Sequence, residues 1–381
     1  MSDRKLKEVT IEGYKSIQSL TISVNDVNVL IGANGAGKSN FISAFKFLRN
    51  IIQERLQISV REAGGADTLL FYGSKQTKNL SLSLSFTYDR VYKIILTPSV
   101  DDNLFFEGEY CIPDSGMGPD DMDRYLENFN PGGLESKLKY NSKAEDSFLR
   151  PNQELIYNTL STWRVYHFHD TSESAGVKKY GSLSDNHFLF EDASNLAAFL
   201  YMLQRTKEDY YNRIIKTIRL VIPFFSDFLL RPNRLNPDTI RLEWTDKNSE
   251  KTFSASSLSD GSLRFICLAT LLLQPVLPGL ILLDEPELGL HPAAISILAD
   301  LIKKAATNTQ VILSTQSVNL VNEFQPEDII VVNREGDHTS FKRLDNESLK
   351  SWMKDYSLGQ LWESNVIGGR PPKRPTQLSF H

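Results

Sequence analysis

Lys38 and Ser39 close the run Gly32-Ala-Asn-Gly-Ala-Gly37-Lys38-Ser39, while Asp284 and Glu285 follow the apolar run Leu280-Ile-Leu-Leu283. The first run fits Gly-x-x-x-x-Gly-Lys-Ser at every fixed position, and its chemistry is phosphate capture. Glycines let the main chain curl tightly, and successive N–H groups with the amino end of a helix favour an anion. Asn34, Gly35, Ala36, Gly37, Lys38, Ser39 and Asn40 are the expected cradle for ATP. Lys38 is expected to reach the β- and γ-phosphates, and Ser39 to place its hydroxyl on Mg²⁺. The acids supply the other half: Asp284 for Mg²⁺, through water, and Glu285 as the general base that polarises the attacking water. The Gly-rich turn alone implies a bound nucleoside triphosphate; the acids add its hydrolysis.

These groups can act together only if the elements carrying them converge. Val27–Ile31 reads as a strand running into the Gly-rich turn, and Ser39–Asn50 has helical spacing with Phe41, Ile42, Phe45 and Leu48 on one side. Leu280–Leu283 reads as a buried strand whose acids emerge at its carboxyl end, where ligand sites of parallel sheets lie. Leu6–Ile11, Leu20–Val24, Gln310–Ser314 and Asp328–Asn333 read as further strands. Leu80–Ile112 alternates as antiparallel strands with one wet face. Trp163–His169 has strand pattern, 195–221 two helical segments, and Phe228–Trp244 strand character broken by Pro232 and Pro237. Pro113 to about Pro151 is rich in Gly, Pro, Asn and Asp and is expected to be loop with short helices.

The chain has 381 residues, 41% hydrophobic and 23% charged, the profile of a soluble globular protein. Its 42 basic and 47 acidic side chains leave a net charge of −5, so no global basic field advertises nucleic acid or an anionic membrane. Cys111 and Cys267 stand in no metal-ligand spacing, and Cys267 lies in an apolar run as a buried thiol. A reducing, cytoplasmic setting without a membrane span is expected.

Leu258-Ser259-Asp260-Gly261-Ser262 opens a helix with Ser259 as its cap, and its order relative to Asp284 resembles the signature of ABC ATPases. The resemblance implies that Ser259, Gly261 and Ser262 face the γ-phosphate held by another subunit, hence an ATP-sandwiched homodimer, with higher assembly open. Gly289 and His291, in Glu287-Leu-Gly-Leu-His-Pro292, occupy the D-loop position; His291 could cap the next helix or touch the second site. Gln316 stands where ABC proteins place a switch histidine. An amide orients water or phosphate but carries no proton, which implies slow turnover. Gln76 is a candidate for the family's Q-loop. Tyr14 lies near the adenine or packs in the first sheet, and Arg264 adds charge to the signature face or pairs with a carboxylate.

Ile11-Glu-Gly-Tyr-Lys-Ser-Ile17, Asp284-Glu-Pro-Glu-Leu-Gly-Leu-His-Pro292 and Ser314-Thr-Gln-Ser317 resemble the RecF/SMC/OLD branch, and Phe190–Ala198 with Gly359–Pro371 resemble stand-alone bacterial ATPases of anti-phage operons. The implied fold is α/β, an ABC-type P-loop core of mixed central sheet, flanking helices and an antiparallel β subdomain, with inserted α/β lid segments. The expected division is 1–112, first core half; 113–250, insertion; 251–366, second core half; 367–381, flexible basic tail. No long coiled coil is present, and the stretch after Gln316 leaves no room for a TOPRIM domain. The resemblance therefore implies a dimeric ATP switch acting on DNA or on a separate TOPRIM-like or other nuclease or toxin in anti-phage defence. A RecF-like repair ATPase binding DNA directly and, further off, a transporter nucleotide-binding subunit are the alternatives.

Overall fold

The computed structural model describes residues 5–112, 128–143 and 150–370. The expected irregular stretch from Pro113 therefore lies partly outside the described residues, as does the basic tail beyond residue 370. At the centre is a six-stranded sheet ordered β16-β15-β3-β14-β13-β7. Its members are β3 (Val27–Ile31), β7 (Arg164–Tyr166), β13 (Leu280–Asp284), β14 (Gln310–Thr315), β15 (Ile329–Glu335) and β16 (His338–Arg343). All pairings are parallel except that of β16 with β15.

Period-two side-chain alternation explains why these strands are apolar on both faces. Val29, Ile281, Leu283, Val311, Leu313 and Val331 enter one core with α3 (Leu196–Thr206), α4 (Glu208–Val221), α5 (Asp260–Leu273) and α6 (Pro292–Ala306). Leu30, Leu280, Leu282, Ile312, Ile330 and Val332 enter a second core beneath α1 (Lys38–Ile52), with Ile156 and Leu160 of α2 (Arg150–Ser161).

That second core is roofed by a five-stranded antiparallel sheet ordered β2-β1-β4-β5-β6. Its strands are β1 (Leu6–Tyr14), β2 (Ile17–Ser23), β4 (Leu80–Phe86), β5 (Val91–Pro98) and β6 (Leu104–Ile112). Gln310 ties the layers: its amide accepts from Leu6 N at 2.8 Å and donates to Leu6 O at 2.9 Å, standing in for a ladder partner. Small sheets, β8 (Gly181–Ser182) with β10 (Thr239–Ile240), and β9 (Phe225–Phe228), β11 (Glu243–Asp246) and β12 (Thr252–Ser254), build the segment before α5.

Two sequence expectations need correction. The strand expected through His169 ends at Tyr166, because beyond it the chain leaves β13 and His167 N instead donates to Glu191 O at 2.9 Å. Between residues 228 and 244 the expected strand character, broken by Pro232 and Pro237, takes the form of short pieces, only Thr239–Ile240 and Glu243–Asp246 finding partners after Phe228. The tail expected to be free from Ile367 is held at its start: Gly369 N donates to Asn333 Oδ1 at 2.8 Å and Arg370 lies over the Trp362 ring. Among the described residues no helix is long and apolar enough to cross a membrane.

Candidate active site

The carboxyl ends of β3, β14, β13 and β7 all open toward one rim of the sheet, as parallel pairing requires. At that rim β3 turns through Gly32–Gly37 into α1. Gly35 (φ +76°) and Gly37 (φ +114°) take left-handed conformations that a side chain disfavours. A cavity of about 140 Å³ lies in this turn, lined by Asn34, Gly35, Ala36, Gly37, Lys38, Ser39, Asn40, Glu285 and Gln316. The structure thus brings the whole expected cradle to one place with two residues from distant strands.

Lys38 is buried and folds back into the turn, donating to Gly32 O at 2.6 Å and Ala33 O at 3.1 Å. Burial holds its ammonium below the ordinary lysine value, against the nearby carboxylates of Glu285, Asp284 and Glu287. Ser39 Oγ lies 3.5 Å from Asp284 Oδ2, while Ser314 Oγ donates to Asp284 Oδ1. A hydroxyl and a carboxylate at this spacing form the oxygen donor set a hard divalent cation takes, so the residues present fit Mg²⁺.

Glu285 stands just past β13 with φ +43°, uncommon for a residue with a side chain, and accepts a hydrogen bond from Gln316 Nε2. Glu287 is buried behind it. Its Oε1 accepts from Thr315 Oγ1 at 2.5 Å and Gln316 N at 3.3 Å, and burial raises its carboxyl above the usual range despite those bonds.

The signature and D-loop residues do not line this cavity. Ser259 caps α5 by accepting from Ser262 N at 3.2 Å and is exposed. Gly261 packs so closely on the Gly289 carbonyl that an added Cβ would collide with it. His291 caps α6, its Nδ1 accepting from Ala293 N at 3.3 Å. Arg264 takes neither role the sequence offered: its guanidinium is buried and donates to backbone carbonyls, Phe168 O at 2.9 Å, His169 O at 3.2 Å and Leu288 O. Tyr14 packs in the antiparallel layer, stacked on Phe47 and bonded to Ser43 Oγ at 3.0 Å; burial pushes its phenol up to about 12.

Gln76 lies exposed in a turn and does not line the cavity. The strand end beside Asp284 is occupied instead by His167 and His169, which sequence reasoning passed over. Burial, and then the charge of Lys46, hold His167 below the ordinary imidazole value, Asp284 acting the other way. Their only sequence signal is the His-x-His spacing, which in extended chain puts both rings on one side; their nearness to Asp284 comes from the pairing of β7 with β13.

A Gly-rich turn and an acid-tipped strand on one mixed sheet, under an antiparallel layer and beside a helix capped by Ser259, define the core of an ABC-type P-loop ATPase. The same architecture recurs in the Smc head domain derived from Pyrococcus furiosus, solved bound to the C-terminal domain of ScpA. That chain superposes with a TM-score of 0.58 at 16% identity, over 92% of this chain and 98% of its own. The protein belongs to the family described as AAA domain, putative AbiEii toxin, Type IV TA system, whose model matches residues 118–322; an AAA ATPase domain model matches 5–175. Among curated proteins, the Old nuclease of Escherichia phage P2 is 21% identical over 382 residues, covering 93% of this chain and 63% of that protein. Structural maintenance of chromosomes protein 3 of Arabidopsis thaliana is 41% identical over 61 residues, 15% of this chain and 5% of that protein. The chain thus spans less than two thirds of the length of either curated relative.

Proposed function

We propose that this ATPase binds Mg-ATP in the Gly32–Ser39 turn, pairs head to tail with a second copy around two nucleotides, and acts as a slowly resetting switch. The observation that carries the reading is the separation of the two half-sites. Lys38, Glu285 and Gln316 border one cavity, while the Ser259 turn is exposed and borders none of it. A signature so placed serves a nucleotide held by another copy. Beside it Leu288 is 50% exposed, an apolar side chain suited to the contact face.

In the proposed reaction Lys38 moves from its carbonyl partners onto the phosphates, and Ser39 and Asp284 hold Mg²⁺. When bound there, the ion would supply charge neutralisation to the phosphates. Glu285 orients and deprotonates the attacking water while Gln316 fixes the carboxylate through its amide. Gln316 cannot relay a proton, which favours a long-lived ATP state over rapid cycling.

What the switch controls is read from the relatives. Likeness to a nuclease, and membership of a family described by a toxin, support a nuclease, TOPRIM-like or otherwise, or a toxin as the partner effector, in anti-phage defence. Direct action on DNA is the second reading, favoured by Lys46 and Arg164 meeting Phe188 and Phe190 on a cleft of about 440 Å³, where Arg49 is paired with Glu191 and Asp192 adds a second acid. Mass photometry of Glu285→Gln with and without Mg-ATP tests the core of the reading: an ATP-dependent doubling of mass is expected, and an unchanged monomer rejects it.

A further inference from the structure

His167 and His169 have no part in the reading above. Phe168 between them is buried in the core, so the extended chain sends both imidazoles to the opposite side. There they meet Asp284: donor atoms of His167, His169 and Asp284 all lie within 4.8 Å of one another, and all three residues are half-buried. We propose that these residues hold a first-row divalent transition metal ion, and do so without nucleotide.

The donor chemistry selects the ion. Two imidazoles and one carboxylate leave open positions for water or a phosphate oxygen and suit Mn²⁺, Co²⁺ or Zn²⁺, whereas Mg²⁺ takes oxygen donors. An ion bound at about 2.1 Å from each donor brings the donors to about 3.4 Å apart in a tetrahedral arrangement. Side-chain torsions cover that adjustment while the main chain stays fixed. His167 N is bonded to Glu191 O, and the Phe168 and His169 carbonyls are held by Arg264. Lys46 is the opposing charge near His167, and Glu285 follows Asp284 in the chain. One consequence rests on the proposed ATPase reading: Asp284 also faces Ser39, so the metal that best supports turnover should follow the histidine pair.

The test is a Co²⁺ titration of the full, untagged chain without nucleotide, followed by visible absorption, with Mn²⁺ paramagnetic resonance beside it. One ion per chain is expected in the wild type. The affinity should fall by at least roughly tenfold in His167→Ala, His169→Ala and Asp284→Asn, the last retaining one oxygen donor. His338→Ala, at an exposed site beside Asp337, should bind as the wild type does. His167→Gln and His169→Asn preserve a polar side chain at each position, and thermal melts matching the wild type exclude misfolding as the cause of a loss. Lys38→Ala should lose ATP yet keep the ion, so failure of the nucleotide reading leaves this inference standing. Absence of nucleotide-free binding in the wild type, or binding indifferent to both histidines, overturns it.

Discussion

At the scale of single residues, the acidic end of β13 is held by side chains at the end of β14 and just past it. Ser314 donates to Asp284, and Gln316 to Glu285, whose backbone sits at φ +43°. Strained backbone of this kind persists where its surroundings over-determine it. Glu285→Gln is therefore expected to keep ATP affinity and lower kcat by roughly 10²- to 10⁴-fold, as loss of a general base does. Gln316→Ala, which leaves the base present but unoriented, should lower kcat by roughly tenfold with little change in ATP affinity. Single-turnover hydrolysis and equilibrium nucleotide binding measure both; full turnover in Glu285→Gln would reassign the base. Lys38, Ser39, Asp284 and Glu285 were legible in the sequence because each lies inside a contiguous pattern with its own chemistry. His167 and His169 were not, since their proximity to Asp284 depends on β7 pairing with β13 across a long separation in sequence.

At the scale of elements, two buried polar residues join segments that hydrophobic patterning alone would leave loose. Arg264 spans α5, the turn at Leu288 and the 168–169 segment through three carbonyls. Arg264→Ala should cost roughly 3 kcal/mol, since it leaves those acceptors unmatched, and should lower the melting temperature measurably. Glu109 on β6 does the same for the 130–137 segment. It accepts from Tyr92 OH (2.7 Å), Ser136 Oγ (2.5 Å), Asn130 Nδ2 (2.8 Å) and Lys137 N (3.0 Å).

Burial nevertheless raises the Glu109 carboxyl above its ordinary 4.5, outweighing the four donors. The folded state then binds the proton more tightly than the unfolded chain. The contribution is largest below 4.5 and declines as pH rises from 4.5 through the folded value. The stability difference between wild type and Glu109→Gln, read from melts at several pH values, should shift against the wild type as pH rises over that window. A difference independent of pH would place the carboxyl at its ordinary value. The element pattern itself was largely readable: alternation in Leu80–Phe86 and the unbroken apolar runs of β13 and β14 announced their two environments. The edge strand β16 was missed because most of its residues are polar and only half-buried, leaving no periodic signal.

At the scale of the whole molecule, the proposed dimer depends on an exposed turn that contributes nothing to its own chain's cavity. Ser259→Arg is expected to leave nucleotide affinity of the monomer intact and to abolish the ATP-dependent mass increase of Glu285→Gln. Persistence of the dimer would move the contact to another face. The order of the central sheet carries a further consequence, for how the protein is made. β3, which leads into the phosphate-binding turn, lies between β14 and β15, and both are translated roughly 280 residues after it. At about 5–20 residues per second this is a delay of roughly 15–55 s on the ribosome. Throughout that interval the nascent Gly-rich turn has no flanking strands to hold it open for a nucleotide. A ribosome that stalls early thus releases a fragment carrying the phosphate-binding sequence but no working site, and the switch becomes competent only as its last third emerges.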